Sequence, residues 1–274
     1  LGLYREGMKL KAFYLYAESQ IHAGTGADVG IVDLPIQRER TTGFPVIQGI
    51  KGALRASGIV DDDIFGSKPS KGADDATDAG KVAFSEAKIL LFPVRSAEKM
   101  FVWVTCPLIL GRFSRSTGKK LNVPSIPEGK ASIADQSFKD GSLTLEELEL
   151  SCQKSAEVNS IASIVANCAP DEYIKEKLKS DLVLVSDDLF SKIVKTMTEV
   201  QPRIRIDEKT GIVARGALWY EEYLPQDSVL YFVCRETVYA KGSESKVGAL
   251  NGRVISIGGK ETTGKGFVSV KEVV

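Results

Sequence analysis

The stretch HAGTGADVGIVDLPIQRERTTGFPVIQGIKGALR, His22 to Arg55, holds the chain's only histidine and six of its glycines, Gly24, Gly26, Gly30, Gly43, Gly49 and Gly52. One acid, Asp33, sits among apolar neighbours (Ile31, Val32, Leu34), and a basic group follows it: Arg38, Arg40, Lys51 and Arg55. An ordinary core needs none of this. Glycine lets backbone approach a ligand closely, and mixed arginine and glycine surfaces suit phosphates. Asp33-Leu34-Pro35 forces an extended loop, because proline disfavours the helical region for the residue before it. Gly49 then opens a short helix over Ile50 to Ser57, with Lys51 in its first turn and amide groups free to meet a phosphate.

Outward from this stretch, strands and helices interleave without regular βα repetition, which gives an α+β fold. Lys9 to Gln20 reads as an aromatic-rich first strand in which Leu10, Ala12, Tyr14 and Tyr16 alternate with other residues. Phe44 to Ile47 is a short buried segment. Asp61 to Gly80 is an acidic surface loop. Lys81 to Pro93 and Met100 to Pro107 read as two strands, followed by a helix over Leu108 to Arg115. Residues 116–142 read as irregular, and Leu143 to Ser151 fits either periodicity. Short helices follow over Ala156 to Cys168 and Asp171 to Lys179, then a strand over Leu182 to Val185. Ser186 caps a helix that runs to about Glu199. Gln201 to Gly216 is the clearest hairpin, decorated by Arg203, Arg205 and Arg215. Leu218 to Leu224 (LWYEEYL), a strand over Ser228 to Tyr239, a second glycine-rich loop over Gly258 to Gly266 and a last strand over Phe267 to Val270 complete the chain.

Composition narrows the function. The 274 residues are 43% hydrophobic, enough for a sizeable core. Lys+Arg and Asp+Glu both count 36, so a polyanion would have to be met by a local basic surface rather than by global charge. The cysteines, Cys106, Cys152, Cys168 and Cys234, form no C-x-x-C pair, and with one histidine no zinc site of usual spacing can be built. They read as reduced, buried thiols of a cytoplasmic protein. The longest apolar runs, such as Ile89 to Val94, are too short to cross a membrane, and no charged-then-apolar leader is seen at the start.

Two glycine patterns fail as nucleotide sites. Gly259 to Gly266 almost spells a P-loop, but Gly266 stands where Ser or Thr must ligate magnesium, and a strand follows. Gly24-x-Gly26-x-x-x-Gly30 is one residue off the dinucleotide fingerprint, and Asp33 to Pro35 breaks the helix it needs. Taken singly, His22 reads as structural, Asp33 and Asp28 as loop caps, the hairpin arginines as solvated, and Tyr220, Glu221, Glu222 and Tyr223 as a half-buried strand edge.

Taken in order, the pieces are more specific. The opening stretch, KGALR, FPVRS, WVTCPLIL-x-RF, GALWYEEYLP and GG-x-E-T-x-GKGF make the chain resemble the RAMP superfamily of CRISPR proteins. The resemblance is strongest to the repeating backbone subunit of the type III-B (Cmr) effector complex. It implies one RAMP domain over 1–274: an RRM-like (ferredoxin-like) palm with inserted glycine-rich loops, insertions over about 58–80 and 116–180, and a thumb hairpin over about 201–216. It implies a subunit that stacks with further copies of itself and other Cmr subunits along a guide RNA (crRNA), and cleaves target RNA paired to that guide at one site per copy. By motif match, the catalytic residues fall on Asp33, His22, Glu221 and Tyr223. The RNA-binding positions fall on Lys51, Arg55, Arg38, Arg40, Gly258, Gly259 and Lys265. The family carries two further small residues between Gly49 and Ile50 that are absent here.

The implied chemistry is attack of a ribose 2′-hydroxyl on its own phosphodiester, giving a 2′,3′-cyclic phosphate and a 5′-hydroxyl, in a nuclease dependent on a divalent cation (Mg²⁺ or Mn²⁺). Solvated aspartates titrate near about 3.9 and are poor bases at neutral pH. Asp33 therefore reads as orienting the hydroxyl or holding the ion, with His22 or Tyr223 as proton donor to the leaving oxygen. A non-catalytic crRNA-binding scaffold and, further off, a crRNA-processing nuclease are the alternatives.

Overall fold

The computed structural model describes residues 10–26, 32–67, 78–134, 141–237 and 242–274. Asp28, Gly30 and Ile31, and residues 68–77 of the acidic loop, lie outside them. The first half of the chain holds β1 (Leu10–Ala17), β2 (Val46–Ile47), α1 (Ile50–Ser57), β3 (Val82–Phe84), β4 (Ala87–Arg95), β5 (Phe101–Thr105), α2 (Pro107–Thr117), β6 (Lys130–Ile133), β7 (Gly141–Leu145) and β8 (Leu148–Lys154). The second half holds α3 (Ala156–Val165), α4 (Glu172–Ser180), β9 (Leu182–Val185), α5 (Asp187–Thr196), β10 (Glu199–Ile206), β11 (Val213–Tyr223), β12 (Val229–Glu236), α6 (Glu244–Val247), β13 (Val254–Ser256) and β14 (Phe267–Glu272).

Twelve strands form one mixed sheet in the order β13-β14-β1-β12-β4-β5-β9-β6-β8-β7, with β2 on β4 and β3 on β12. The fold is α+β, as the sequence implies. β1 lies between β14 and β12, antiparallel to both, with Tyr14 opposite Tyr231. Only the pairs β5–β9 and β6–β8 are parallel.

The alternation in the first strand suggests one wet face. Instead Phe13, Tyr14, Leu15, Tyr16 and Ala17 are all buried, because the strand is interior and covered on both sides. Tyr14 stacks on Phe113 of α2 at 5.7 Å, and Phe113 meets Tyr231 edge-on at 5.0 Å. Such pairs add to the area term that dominates core stability.

Three sequence expectations are corrected. Lys81 to Pro93 is two strands, since Ser85 and Glu86 break the run. The irregular 116–142 contains β6, buried from Ala131 to Ile133. The ambiguous Leu143 to Ser151 lies within a hairpin, β7 and β8, whose Leu143 and Leu150 are cross-strand partners and both buried. Four-residue strands give too few periods to be read against their polar neighbours. The helices fall where expected, except that α5 stops at Thr196 and Glu199 already opens β10. Ser186 caps α5 by accepting from Leu189 N at 3.3 Å. All four cysteines are buried and stand outside any disulfide.

The hairpin β10–β11 is a separate two-stranded sheet, longer than the 201–216 implied by the sequence, because LWYEEY continues β11 down to Tyr223. Its turn is closed by Asp207, whose Oδ1 accepts from Lys209 N at 2.9 Å and Thr210 N at 3.0 Å. Its far end is exposed and apolar at Ile204, Ile206, Ile212, Val213 and Leu218. Its near end is where the loops from the opening stretch converge.

Candidate active site at the base of the hairpin

A strand sends successive side chains to opposite faces. At the base of β11, Trp219, Glu221 and Tyr223 therefore share one face, and Tyr220 and Glu222 share the other. Arg203, Gln201 and Glu199 lie directly across from Trp219, Glu221 and Tyr223.

The opening stretch is laid along the free edge of β11. Leu34 N donates to Tyr220 O at 3.1 Å, and Glu222 N donates to Leu34 O at 3.0 Å, a parallel bridge. Tyr220 N donates to Asp33 Oδ2 at 2.7 Å. Asp33 is exposed, so its carboxylate is fixed at one oxygen and open to solvent. The limb before it returns alongside: Gln37 N donates to Ala23 O at 2.7 Å, and Thr25 N to Pro35 O at 3.2 Å.

His22 lies beneath this loop, buried. Its Nδ1 is 2.7 Å from Glu222 O, a carbonyl that can only accept, so Nδ1 carries the proton. The ring tilts against Tyr223 at 5.5 Å. The second glycine loop closes over it. Gly259 N donates to His22 O at 2.8 Å. Gly258 has φ +78°, and a Cβ there would stand 2.5 Å from that same oxygen, so only glycine fits.

Glu221 is 1% exposed yet charged. Its Oε1 accepts from Lys260 Nζ at 2.6 Å and Trp219 Nε1 at 2.8 Å. Its Oε2 accepts from Arg203 Nε at 3.3 Å and from the Tyr223 hydroxyl. Burial pushes the carboxyl up, but the hydrogen bonds from Lys260, Tyr223 and Trp219, with the Lys260 charge, outweigh it and hold Glu221 down at about 2. Tyr223 is fully buried, and its hydroxyl is pushed up by burial and by the Glu221 carboxylate it donates to. Arg203 Nη2 donates to that hydroxyl at 2.9 Å, and Lys265 Nζ stands 4.9 Å over the ring while donating to Gln20.

The residues implied by the resemblance thus separate into two sets. Asp33 faces solvent. His22, Glu221 and Tyr223 are buried: Glu221 and the Tyr223 hydroxyl are engaged by protein partners, and His22 is held at Nδ1. Tyr223 is no stacking platform for a base, and Arg203 grips Glu221 rather than a phosphate. Among the basic positions, Lys51 and Arg40 are exposed. Arg38 and Arg55 are taken up by the protein. Arg38 donates to Glu222, to Val194 O at 2.7 Å and to Gly43 O at 3.1 Å. Arg55 pairs with Asp62 at 2.7 Å, donates to Gly66 O and lies 5.2 Å over Phe65. Lys260 and Gln20 escape sequence reading, since no periodicity marks a loop residue. Arg203's partner could have been found from the hairpin register.

A resident metal centre does not fit these side chains. Among the described residues no three of His, Cys, Asp and Glu converge. Glu221 and Glu222 are both engaged by protein donors, while Asp33, among the described residues of this strand–loop contact, keeps one oxygen open to solvent.

The RAMP superfamily profile matches residues 14–269. The chain is 39% identical to the CRISPR system Cmr endoribonuclease Cmr4 of Pyrococcus furiosus, over 97% of each sequence. The chain belongs to the RAMP superfamily, in its Cmr4 group. The crystal structure of oligomeric Cmr4 from Pyrococcus furiosus superposes with a TM-score of 0.74 at 31% identity, covering 97% of this chain and 98% of that one. The same fold recurs, at 23% identity and a TM-score of 0.75, in a type III-B Cmr-beta complex bound to cognate target RNA, with 97% of each chain covered. The glycine loops, the hairpin and the DLPIQRE segment read from the sequence are therefore those of a RAMP protein.

Proposed function

We propose that this RAMP protein is the crRNA-binding backbone subunit of a type III-B effector complex, and that it cleaves target RNA paired to the guide at Asp33. The observation that carries the assignment is the exposed Asp33 carboxylate pinned at 2.7 Å by Tyr220 N, at the root of an exposed hairpin. The near-full-length likeness to the Pyrococcus furiosus endoribonuclease supports it. The strand order β14-β1-β12-β4, all antiparallel, with α1 between β1 and β4, supports reading the centre of the sheet as an RRM-like palm. The hairpin is then the thumb, and further copies of the chain, other Cmr subunits, the guide and the target are its partners. The absence, among the described residues, of a helix long and apolar enough to cross a membrane suits a cytoplasmic particle.

Catalysis is mainly positioning. One Asp33 oxygen is held by the strand; the other accepts from the ribose 2′-hydroxyl and turns it in line with its own phosphodiester. The P–O5′ bond breaks as the O2′–P bond forms; solvent takes the 2′-hydroxyl proton while Asp33 orients that oxygen, and solvent water protonates the leaving O5′, leaving a 2′,3′-cyclic phosphate and a 5′-hydroxyl. The buried layer keeps its own bonds throughout: Tyr223 donates to Glu221, and His22 donates Nδ1 to strand β11. Both act as supports for the loop. A divalent cation, Mg²⁺ or Mn²⁺, would arrive with the RNA phosphates and meet Asp33 alone, so no step is assigned to it here.

Asp33→Ala tests the reading. The assembled complex should bind guide and target as before, and lose target cleavage by at least about 10²-fold, the range for a positioned polar group acting in the transition state. Full-rate cleavage by an assembled Asp33→Ala complex would overturn the nuclease assignment and leave a scaffold.

A further inference from the structure

Glu222 is nearly as buried as Glu221, on the opposite face of β11, and its carboxylate is held by Ile36 and Arg38 of the segment carrying Asp33 and by Thr198. Its Oε2 accepts from Ile36 N at 2.9 Å. Its Oε1 accepts from Arg38 and from Thr198 Oγ1 at 2.6 Å. Its own carbonyl takes the His22 proton at 2.7 Å. Arg38 carries the linkage on to Val194 O in the last turn of α5, and Ser191 Oγ of α5 donates to Thr42 O at 2.6 Å. Gly43 has φ +72°, a conformation that favours glycine, and packs against the end of the Lys195 side chain.

Besides the backbone bonds at Pro35 and Gln37 to the limb before it, residues 33–43 are held to the hairpin and α5 at Asp33 by Tyr220, at Leu34 by the strand edge, at Ile36 and Arg38 by Glu222, and at Thr42 by Ser191. The two backbone bonds at Leu34 alone would let the segment pivot about the strand edge. The Glu222 carboxylate removes that freedom, because it fixes a main-chain amide and a guanidinium three and five residues beyond Asp33.

We infer that Glu222, with Arg38, is a positioning pair that sets the Asp33 carboxylate relative to the hairpin, so that the strand which builds the hairpin also aims the cleaving group. The inference rests on the proposed role of Asp33. Glutamate is required in this position because both oxygens accept. In glutamine one of them becomes an NH₂, which must then face either Ile36 N–H or the Arg38 guanidinium, donor against donor. Lysine cannot replace Arg38, because a single ammonium cannot span Glu222, Gly43 O and Val194 O together.

The test is single-turnover cleavage of labelled target RNA by complexes assembled with Glu222→Gln, Arg38→Lys, both together, and Asp33→Ala, with rates normalised to assembled complex. A displacement of about 1 Å at a reacting group costs on the order of 10²-fold. Glu222→Gln should slow the cleavage step 10- to 100-fold while target Kd stays within two-fold. Arg38→Lys should act in the same direction, and the double variant should be no slower than the slower single. If Glu222→Gln fails to assemble, Arg38→Lys carries the same readout. Wild-type rates per assembled complex in either single variant, or a loss confined to target binding, would overturn the positioning role. Cleavage by Asp33→Ala would instead overturn the active-site reading on which it stands.

Discussion

Glu221 and Glu222 are adjacent, both buried and both ionic, yet one strand sends them into different surroundings. Glu221 faces side-chain donors contributed by β10, β11 and the second glycine loop: Lys260, Arg203, Trp219 and Tyr223. Glu222 faces the backbone and guanidinium of the loop that carries Asp33. The first network ties the hairpin to the second glycine loop and bears on stability. The second ties the loop that carries Asp33 to the hairpin and bears on geometry. A carboxylate surrounded by mobile cations tolerates small movements, whereas one that accepts from a main-chain amide fixes where the chain runs. The difference also explains why Asp33, with a single amide on it, is the acid left open to solvent.

The largest effect that separates the two faces lies in acid. Glu221 is held at about 2 against an ordinary 4.5. A carboxyl lowered in the folded state adds stability that is complete above its unfolded value and lost as pH falls toward the folded one. Here that lowering corresponds to about 3 kcal/mol. Urea unfolding should therefore show wild-type stability dropping between about pH 5 and pH 2 by that much more than the Glu221→Gln variant's. Parallel pH curves would show that the Lys260 and Arg203 network does not hold the charge.

How much of this was legible beforehand follows from the same strand. The outer part of the hairpin is legible in sequence, because the turn EKTG sits between PRIRID and IVARG, whereas the continuation of β11 through LWYEEY is not. The helix at Gly49 and the extended Asp33-Leu34-Pro35 loop follow from glycine and proline stereochemistry. The roles of the two glutamates do not. Side by side they look equivalent, and which face each occupies depends on where LWYEEY enters the ladder, a register set by residues some twenty positions upstream. Lys260 sits at φ +68° in a turn rich in glycine, where nothing marks it as the partner of an acid thirty-nine residues earlier. Short strands such as β6 are equally silent, since burial there comes from elements brought in by topology.

Removing the cation from the Glu221 face should cost less than removing its charge in acid. Breaking a wholly buried pair costs about 3–5 kcal/mol. Lys260 is 35% exposed, and three other donors remain on Glu221, so Lys260→Met should lower unfolding free energy by roughly 1–2 kcal/mol. The double variant Glu221→Gln, Lys260→Met should be less destabilised than the sum of the singles, because the second change removes a charge already stranded by the first. Strict additivity in urea denaturation would mean that the two do not interact in solution.

The smallest effect concerns the basic residues of the opening stretch, which sort by the same rule of engaged against open groups. Arg38 and Arg55 spend their guanidinium groups on Glu222, Asp62 and main-chain carbonyls, so their removal should show as instability or misplacement. Lys51, exposed at the start of α1, has no ion-pair partner among the described residues, so its charge is available to a phosphate. A lysine that neutralises one phosphate of a single strand contributes about 0.7 to the slope of log binding constant against log salt. Guide-RNA binding by Lys51→Ala should therefore lose about that much slope with unchanged thermal stability, and Arg55→Ala should lose stability with the slope retained. A slope unaffected by Lys51→Ala would place the guide on another surface. The Asp33 side of the stretch, fixed independently by β11, would stand as it is.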